Sequence, residues 1–366
     1  MKTGLVWDER YMWWDTRHGA AFMPAGGWLE PGEHAENPST KRRFKNLLDV
    51  SGMADHLVPL KPRMATVEEV ERYHTPEYVK RMKELSDAGG GDAGEITPFG
   101  AGGFEIALLA VGGTLTAIEK TLDGTVDTAY ALVRPPGHHA QKDLGRGFCM
   151  FSNAALGAAH ARQALGLDRV AVVDWDVHHG NGTQWAFYDD PTVLTVSLHQ
   201  DKYFPPDSGM IAENGEGAGE GANVNVPLPA GSGVGAYSSA FERVVIPALE
   251  RFKPQLLIIA SGLDASALDP LARQQMHSDG YRDLTRQLMD VMASIGGKFM
   301  LTHEGGYSAA YVPFCGLAIL EEITGHRTPV EDPYLPIFAG IGGQDLQPHQ
   351  AALIDQAAAL VERVPA

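Results

Sequence analysis

The 366-residue sequence predicts an α/β protein, a multi-stranded, mainly parallel sheet with helices on both faces. Three observations predict it. Short β-rich runs occur at Gly4–Trp7, Thr128–Val133, Val170–Val173, Val193–Ser197, Leu256–Ala260 and Phe299–Thr302. Stretches with apolar residues at helical spacing lie between them, at Val67–Leu85, Phe104–Leu122, Ser152–Leu165, Ala236–Arg251 and Gly280–Ser294. Polar clusters rich in His, Asp and Gly follow the carboxyl ends of the runs.

Each observation has a physical reading. Several runs are apolar at consecutive positions, as expected of strands covered on both faces; a strand with one wet side would alternate. Strand alternating with helix means a parallel sheet. No low-complexity linker and no internal repeat interrupts the pattern, so residues 1–366 are expected to form a single domain. Asp87–Gly103 and Pro205–Ala230 read as long loops, as does the irregular Tyr11–Pro38. Trp13, Trp14, Phe22 and Trp28 in the last of these are costly to leave in water. Cover by a neighbouring copy would solve that, so a homo-oligomer is expected.

Bulk composition narrows the function classes. Hydrophobic content of 44% and charged content of 20% are those of a water-soluble globular protein. A formal net charge of −17 argues against a nucleic-acid partner and is compatible with steering of cationic substrates. Cys149 and Cys315, the two cysteines, suggest no disulfide framework and fit a reducing, cytoplasmic compartment. Charge near the start, at Lys2 and Asp8, leaves no room for a signal peptide, and no apolar run reaches membrane-spanning length.

Parallel strands put their carboxyl ends on one edge of the sheet, where ligands of open α/β folds bind. Residues distant in sequence then converge. Asp176 and His178 follow Val170–Val173 and stand two apart, so in extended chain they point the same way. Asp264 follows Leu256–Ala260. Two carboxylates and one imidazole can hold a divalent metal and leave a coordination position open, the layout of a catalytic zinc site. His138 and His139 follow Pro135-Pro136-Gly137, a stiff lead into a tight turn, and suit general base and acid or electrostatic roles. Each needs its second ring nitrogen anchored; Asp174 and Asn181 are the candidates, and the two histidines should then differ in pKa. Tyr307, after Gly305-Gly306, can donate a hydrogen bond to a developing oxyanion. Phe148 and Phe204 can wall a narrow apolar channel.

Together these motifs resemble the histone deacetylase superfamily, and within it the bacterial histone deacetylase-like amidohydrolases of class II type. The matching segments are Arg134–Ala140, Gly147–Cys149, Asp174–Gly182, Thr195–His199, Phe204–Gly209, Ser261–Pro270 and Glu304–Tyr307. Asn181 agrees with class II, whereas Ser266–Leu268 departs from a commoner Gly-containing loop. The resemblance implies the arginase/deacetylase fold and a Zn²⁺ on Asp176, His178 and Asp264. It makes His138 and His139 the tandem catalytic histidines and Tyr307 the carbonyl-polarising tyrosine. Phe148, Phe204 and Leu271 would line an acyl-lysine tunnel, with the Gly147 carbonyl facing the substrate amide. A structural K⁺ would use Asp174, Ser197 and the backbone carbonyls of Asp176, His178 and Leu198. Asp87 and Asp92 are the candidates for a rim carboxylate gripping the substrate.

The expected activity is zinc-dependent removal of acetyl or other short acyl groups from N-acyl-lysine or similar acylated amines. One alternative is an acetylpolyamine amidohydrolase. A non-enzyme alternative is an acyl-lysine binding module, against which the presence of Tyr307 argues. A binuclear manganese hydrolase of the arginase type would need further carboxylates, but Gly180 stands where another Asp would help.

Overall fold

The computed structural model describes residues 1–366. Its centre is an eight-stranded sheet whose paired strands all run parallel. In chain order the strands are β1 (Thr3–Val6), β2 (Leu57–Leu60), β3 (Thr128–Ala131), β4 (Val170–Asp174), β5 (Val193–Gln200), β6 (Asn223–Leu228), β7 (Leu256–Ser261) and β8 (Lys298–His303). Across the sheet they run β6-β5-β4-β7-β8-β3-β1-β2.

Side chains two apart share a face, and the sheet feeds two cores accordingly. Ala171, Val173, Leu257 and Ile259 pack on one side with Phe44 of α1 (Ser39–Val50) and with Leu288 and Leu320 from later helices. Val170, Val172, Leu256 and Ile258 pack on the other with Ile118 and Ala158. Both faces are covered, which is why the central runs are continuously apolar. No helix is long and apolar enough to cross a membrane.

Several boundaries differ from the sequence reading. The end of Pro205–Ala230 is not loop but the edge strand β6. There Val224, Val226 and Leu228 enter the core, while Asn223 and Asn225 turn to a buried amide network on Gln184. The stretch Val67–Leu85 is two helices, Val67–Val70 and α2 (Pro76–Asp87), because Thr75 caps and Pro76 starts the second. Asp87–Gly103 and Tyr11–Pro38 carry short strand pairs, Gly90–Asp92 with Pro98–Gly100 and His18–Ala20 with two partners. Of Trp13, Trp14, Phe22 and Trp28, Trp14 alone is buried. Trp13 and Phe22 are exposed within the chain, and Trp28 is fully exposed.

Buried charge ties Tyr11–Pro38 to the sheet's carboxyl edge. Glu36 Oε1 accepts from Arg134 Nε at 2.8 Å and pairs with Lys41 Nζ at 3.2 Å, all three side chains out of water. Burial works to raise the Glu36 pKa, but Arg134 and then Lys41 outweigh it and hold the carboxyl at about 2. A depressed folded value stabilises above the unfolded pKa, near 4.5, and that stabilisation is lost as pH falls towards 2. Glu36→Gln leaves two buried cations short of their counterion and should cost ~3–5 kcal/mol at neutral pH. Urea unfolding of parent and variant should show that gap, and show it narrowing below pH 4.5; a constant gap would exclude the charge as its source.

Candidate active site

The carboxyl edge of the sheet gathers the polar clusters. Asp176 and His178 sit in the turn leaving β4, and Asp264 in the turn leaving β7. His178 Nδ1 lies 3.1 Å from Asp176 Oδ1 and 3.1 Å from Asp264 Oδ2. His178 Nε2 stands 3.2 Å from the carbonyl of Leu271. With Nε2–H donated there, Nδ1 turns a lone pair towards two buried carboxylate oxygens. Three electron-rich atoms so arranged call for a cation between them.

Main-chain donors aim the carboxylates. Asp176 Oδ1 accepts from His178 N at 2.9 Å and Oδ2 from Gly305 N at 2.8 Å; Asp264 Oδ1 accepts from Val177 N at 2.8 Å. Gly262 and Gly305 make room. A Cβ at Gly262 would stand 2.1 Å from Asp176 Oδ2, and one at Gly305 2.2 Å from Asp264 Oδ2. The donor set, its burial and this cradle fit one divalent ion held by Asp176, His178 and Asp264.

The tandem histidine rings lie with centres 3.9 Å apart and planes tilted by 43°. His138 Nδ1 meets Asp174 Oδ2 at 2.9 Å, and His139 Nδ1 meets Asn181 Oδ1 at 2.8 Å. Burial disfavours charge on both rings. For His138, Asp176 and Asp174 outweigh it and push the pKa up to about 10. For His139 nothing does, and burial with the neighbouring His138 drives the pKa well below the usual value. The carboxylate-paired and amide-paired rings therefore differ in pKa, His138 up and His139 down.

A cavity of about 260 Å³ opens beside them. Phe22, Ile96, Phe148, Tyr203, Phe204 and Leu271 wall it, and His139, Gly147, His178 and Tyr307 also reach it. Burial, then Asp264 and Asp176, raises the Tyr307 pKa well above its usual value and keeps the phenol protonated, hence a donor. Ile96 and Phe148 both have left-handed backbone, φ 46° and 72°, and Phe148 N donates to the Ile96 carbonyl at 3.1 Å. Bulky residues rarely adopt that conformation, and each instance costs about 1–3 kcal/mol.

Neither acid suggested for the rim faces the cavity. Asp87 pairs with Lys83 on α2, and Asp92 accepts the N–H groups of Gly94 and Thr97 within its own turn. Ile96 occupies the wall there, while its neighbour Glu95 pairs with Arg146 at 2.6 Å. Asp174 and Ser197 are register partners on β4 and β5. Sequence reasoning also passed over Glu304. This buried carboxylate directly after β8 accepts from Gly137 N at 2.6 Å and His138 N at 3.1 Å, clamping the histidine turn. Its placement at a strand's carboxyl end was the available signal.

Comparison with known proteins agrees with this geometry. The histone deacetylase domain model matches residues 34–323. A histone deacetylase-like amidohydrolase of Pseudomonas aeruginosa is 49% identical over 336 residues, covering 91% of this chain and 88% of the relative. Histone deacetylase 8 of Arabidopsis thaliana is 39% identical, covering 91% and 90%. A polyamine deacetylase of Homo sapiens is 36% identical, covering 76% of this chain and 43% of the relative. Among solved structures, the HD domain of HDA15 superposes with a TM-score of 0.86 at 30% identity, over 99% of this chain and 96% of that one. A sheet, a clustered edge and a sequence match that agree over most of the chain leave one conclusion: it belongs to the histone deacetylase family.

Proposed function

We propose that this hydrolase is a zinc-dependent amidohydrolase that removes acetyl or other short acyl groups from N-acyl-lysine or similar acylated amines. One observation carries the reading: the buried Asp176–His178–Asp264 set adjoins an apolar cavity that Tyr307 and His139 also reach. Ligand atoms 3.1 Å apart are compatible with metal–ligand distances of ~2.0–2.2 Å. Zinc, when bound, supplies Lewis acidity towards water and the acyl carbonyl.

The chain's own groups supply the rest. Phe148, Phe204 and Leu271 exclude water from the aliphatic stem of the acyl-lysine, and the Gly147 carbonyl accepts the substrate amide N–H. Tyr307 donates to the carbonyl oxygen as it gains charge. His139, with Nδ1–H held by Asn181, turns a basic Nε2 to the cavity; it takes a proton from the attacking water and returns it to the leaving amine. His138, favoured as a cation by Asp174, balances the charge that builds up. Asp174 and Ser197, with the carbonyls of Asp176, His178 and Leu198, would hold a structural K⁺. No carboxylate lines the cavity, so its wall offers nothing to the second ammonium of a polyamine, which favours acyl-lysine.

The test is turnover of a fluorogenic acetyl-lysine peptide beside acetylated polyamines, before and after chelation. Activity should vanish on metal removal, return with about one equivalent of zinc and favour the peptide. Turnover that survives complete removal of metal would end the proposal. Two equivalents per chain would point to a binuclear site.

A further inference from the structure

Asp269 is a buried carboxylate between the metal-ligand turn and the cavity wall. It is 7% exposed, and its partners are main-chain N–H groups, not cations. Oδ2 accepts from Tyr307 N at 2.7 Å, and Oδ1 accepts from Leu271 N at 2.8 Å. Its own N–H donates to the Ser266 carbonyl at 3.0 Å, which anchors it to the turn carrying Asp264. Burying a carboxyl group is expensive, and two short main-chain hydrogen bonds are what make it tolerable.

The two residues it grips face the same cavity. Tyr307 needs such a grip. Gly306, just before it, has φ 125° and no side chain to restrain the turn. Gly305 is already committed, donating to Asp176 Oδ2 and accepting from Leu263 N. The tyrosine ring itself meets the ring of Phe148 edge-on at 5.7 Å, that of His178 edge-on at 6.4 Å and the ammonium of Lys41 over its face at 5.7 Å, and none of these contacts is a hydrogen bond.

We infer that Asp269 is a positioning residue for the reaction: by holding the main chain of Tyr307 and Leu271 together, it sets where the phenol meets the acyl carbonyl. This rests on the role proposed above for Tyr307. A phenol displaced by ~1 Å can cost ~100-fold in rate with binding little changed.

Asp269→Asn tests it on the zinc-loaded full chain with an acetyl-lysine peptide. The amide keeps the size but has one acceptor oxygen, so its NH₂ must face one of the two N–H groups. The expected result is kcat down ~10–100-fold, a smaller change in KM, and zinc content equal to the parent's. In the Tyr307→Phe background the same substitution should cost less than ~2-fold, because the group it positions is gone. Equal losses in both backgrounds, unchanged kcat or loss of zinc would each overturn the inference. If the Asn variant fails to fold, Asp269→Glu, which keeps two acceptor oxygens at a shifted position, is read by the same cycle. Should Tyr307→Phe alone prove as fast as the parent, the role of Tyr307 falls first and visibly, and this inference falls with it.

Discussion

Asp264→Ala is expected to leave a folded chain that neither retains zinc nor hydrolyses acyl-lysine. Asp264 is fully buried and gives Oδ2 to the metal-binding set and Oδ1 to Val177 N at 2.8 Å. Removing it takes away one of the three proposed ligands. Loss of an outer partner alone costs ~10–100-fold in metal affinity, and loss of a ligand should exceed that. Val177 N–H is left unpaired, a cost of about 1–3 kcal/mol that a sheet of this size should survive. Zinc content after dialysis and peptide turnover are the measurements. Parent-level turnover in this variant would remove Asp176, His178 and Asp264 from the chemistry altogether.

Tyr307→Phe should separate metal binding from catalysis. The ring keeps its place against Phe148 and Lys41, and the main-chain link to Asp269 is untouched. Only the hydroxyl is lost. Removing one donor to a developing oxyanion costs ~10²–10³ in kcat, and that loss should appear with zinc content and KM near the parent's. A fall in zinc content matching the fall in kcat would instead make Tyr307 part of the metal site's support.

Much of this architecture was legible because burial writes itself into composition. β4 and β7 are covered on both sides and read as unbroken apolar runs. β2 escaped notice because Leu57–Leu60 is four residues long and contains Pro59, which a sheet accepts at an edge. β6 escaped because its alternating Asn and Val lie among Gly and Pro, and those Asn side chains are satisfied by Gln184 and Thr195, far off in sequence, and by carbonyls of the preceding loop. The site shows the same division. Asp176, His178 and Asp264 carry their chemistry in residue type, and strand ends place them. Glu304 accepts N–H groups of a remote segment, with its place at the end of β8 as the one signal, and Asp269 joins nearby Leu271 to remote Tyr307, a link its sequence neighbours do not announce. Ile96 was the least legible, since a β-branched residue is a poor candidate for left-handed backbone.

That pairing of Ile96 with Phe148 bears on how the enzyme meets its ligand. Two bulky residues in costly backbone, joined by one hydrogen bond, form one stretch of the cavity wall. On the function proposed above, a wall shaped in advance would leave little freedom to lose when an acyl-lysine stem enters. Acyl groups or flanking chains of the wrong girth would be refused by an unyielding frame, and selectivity here would follow contour more than adaptation.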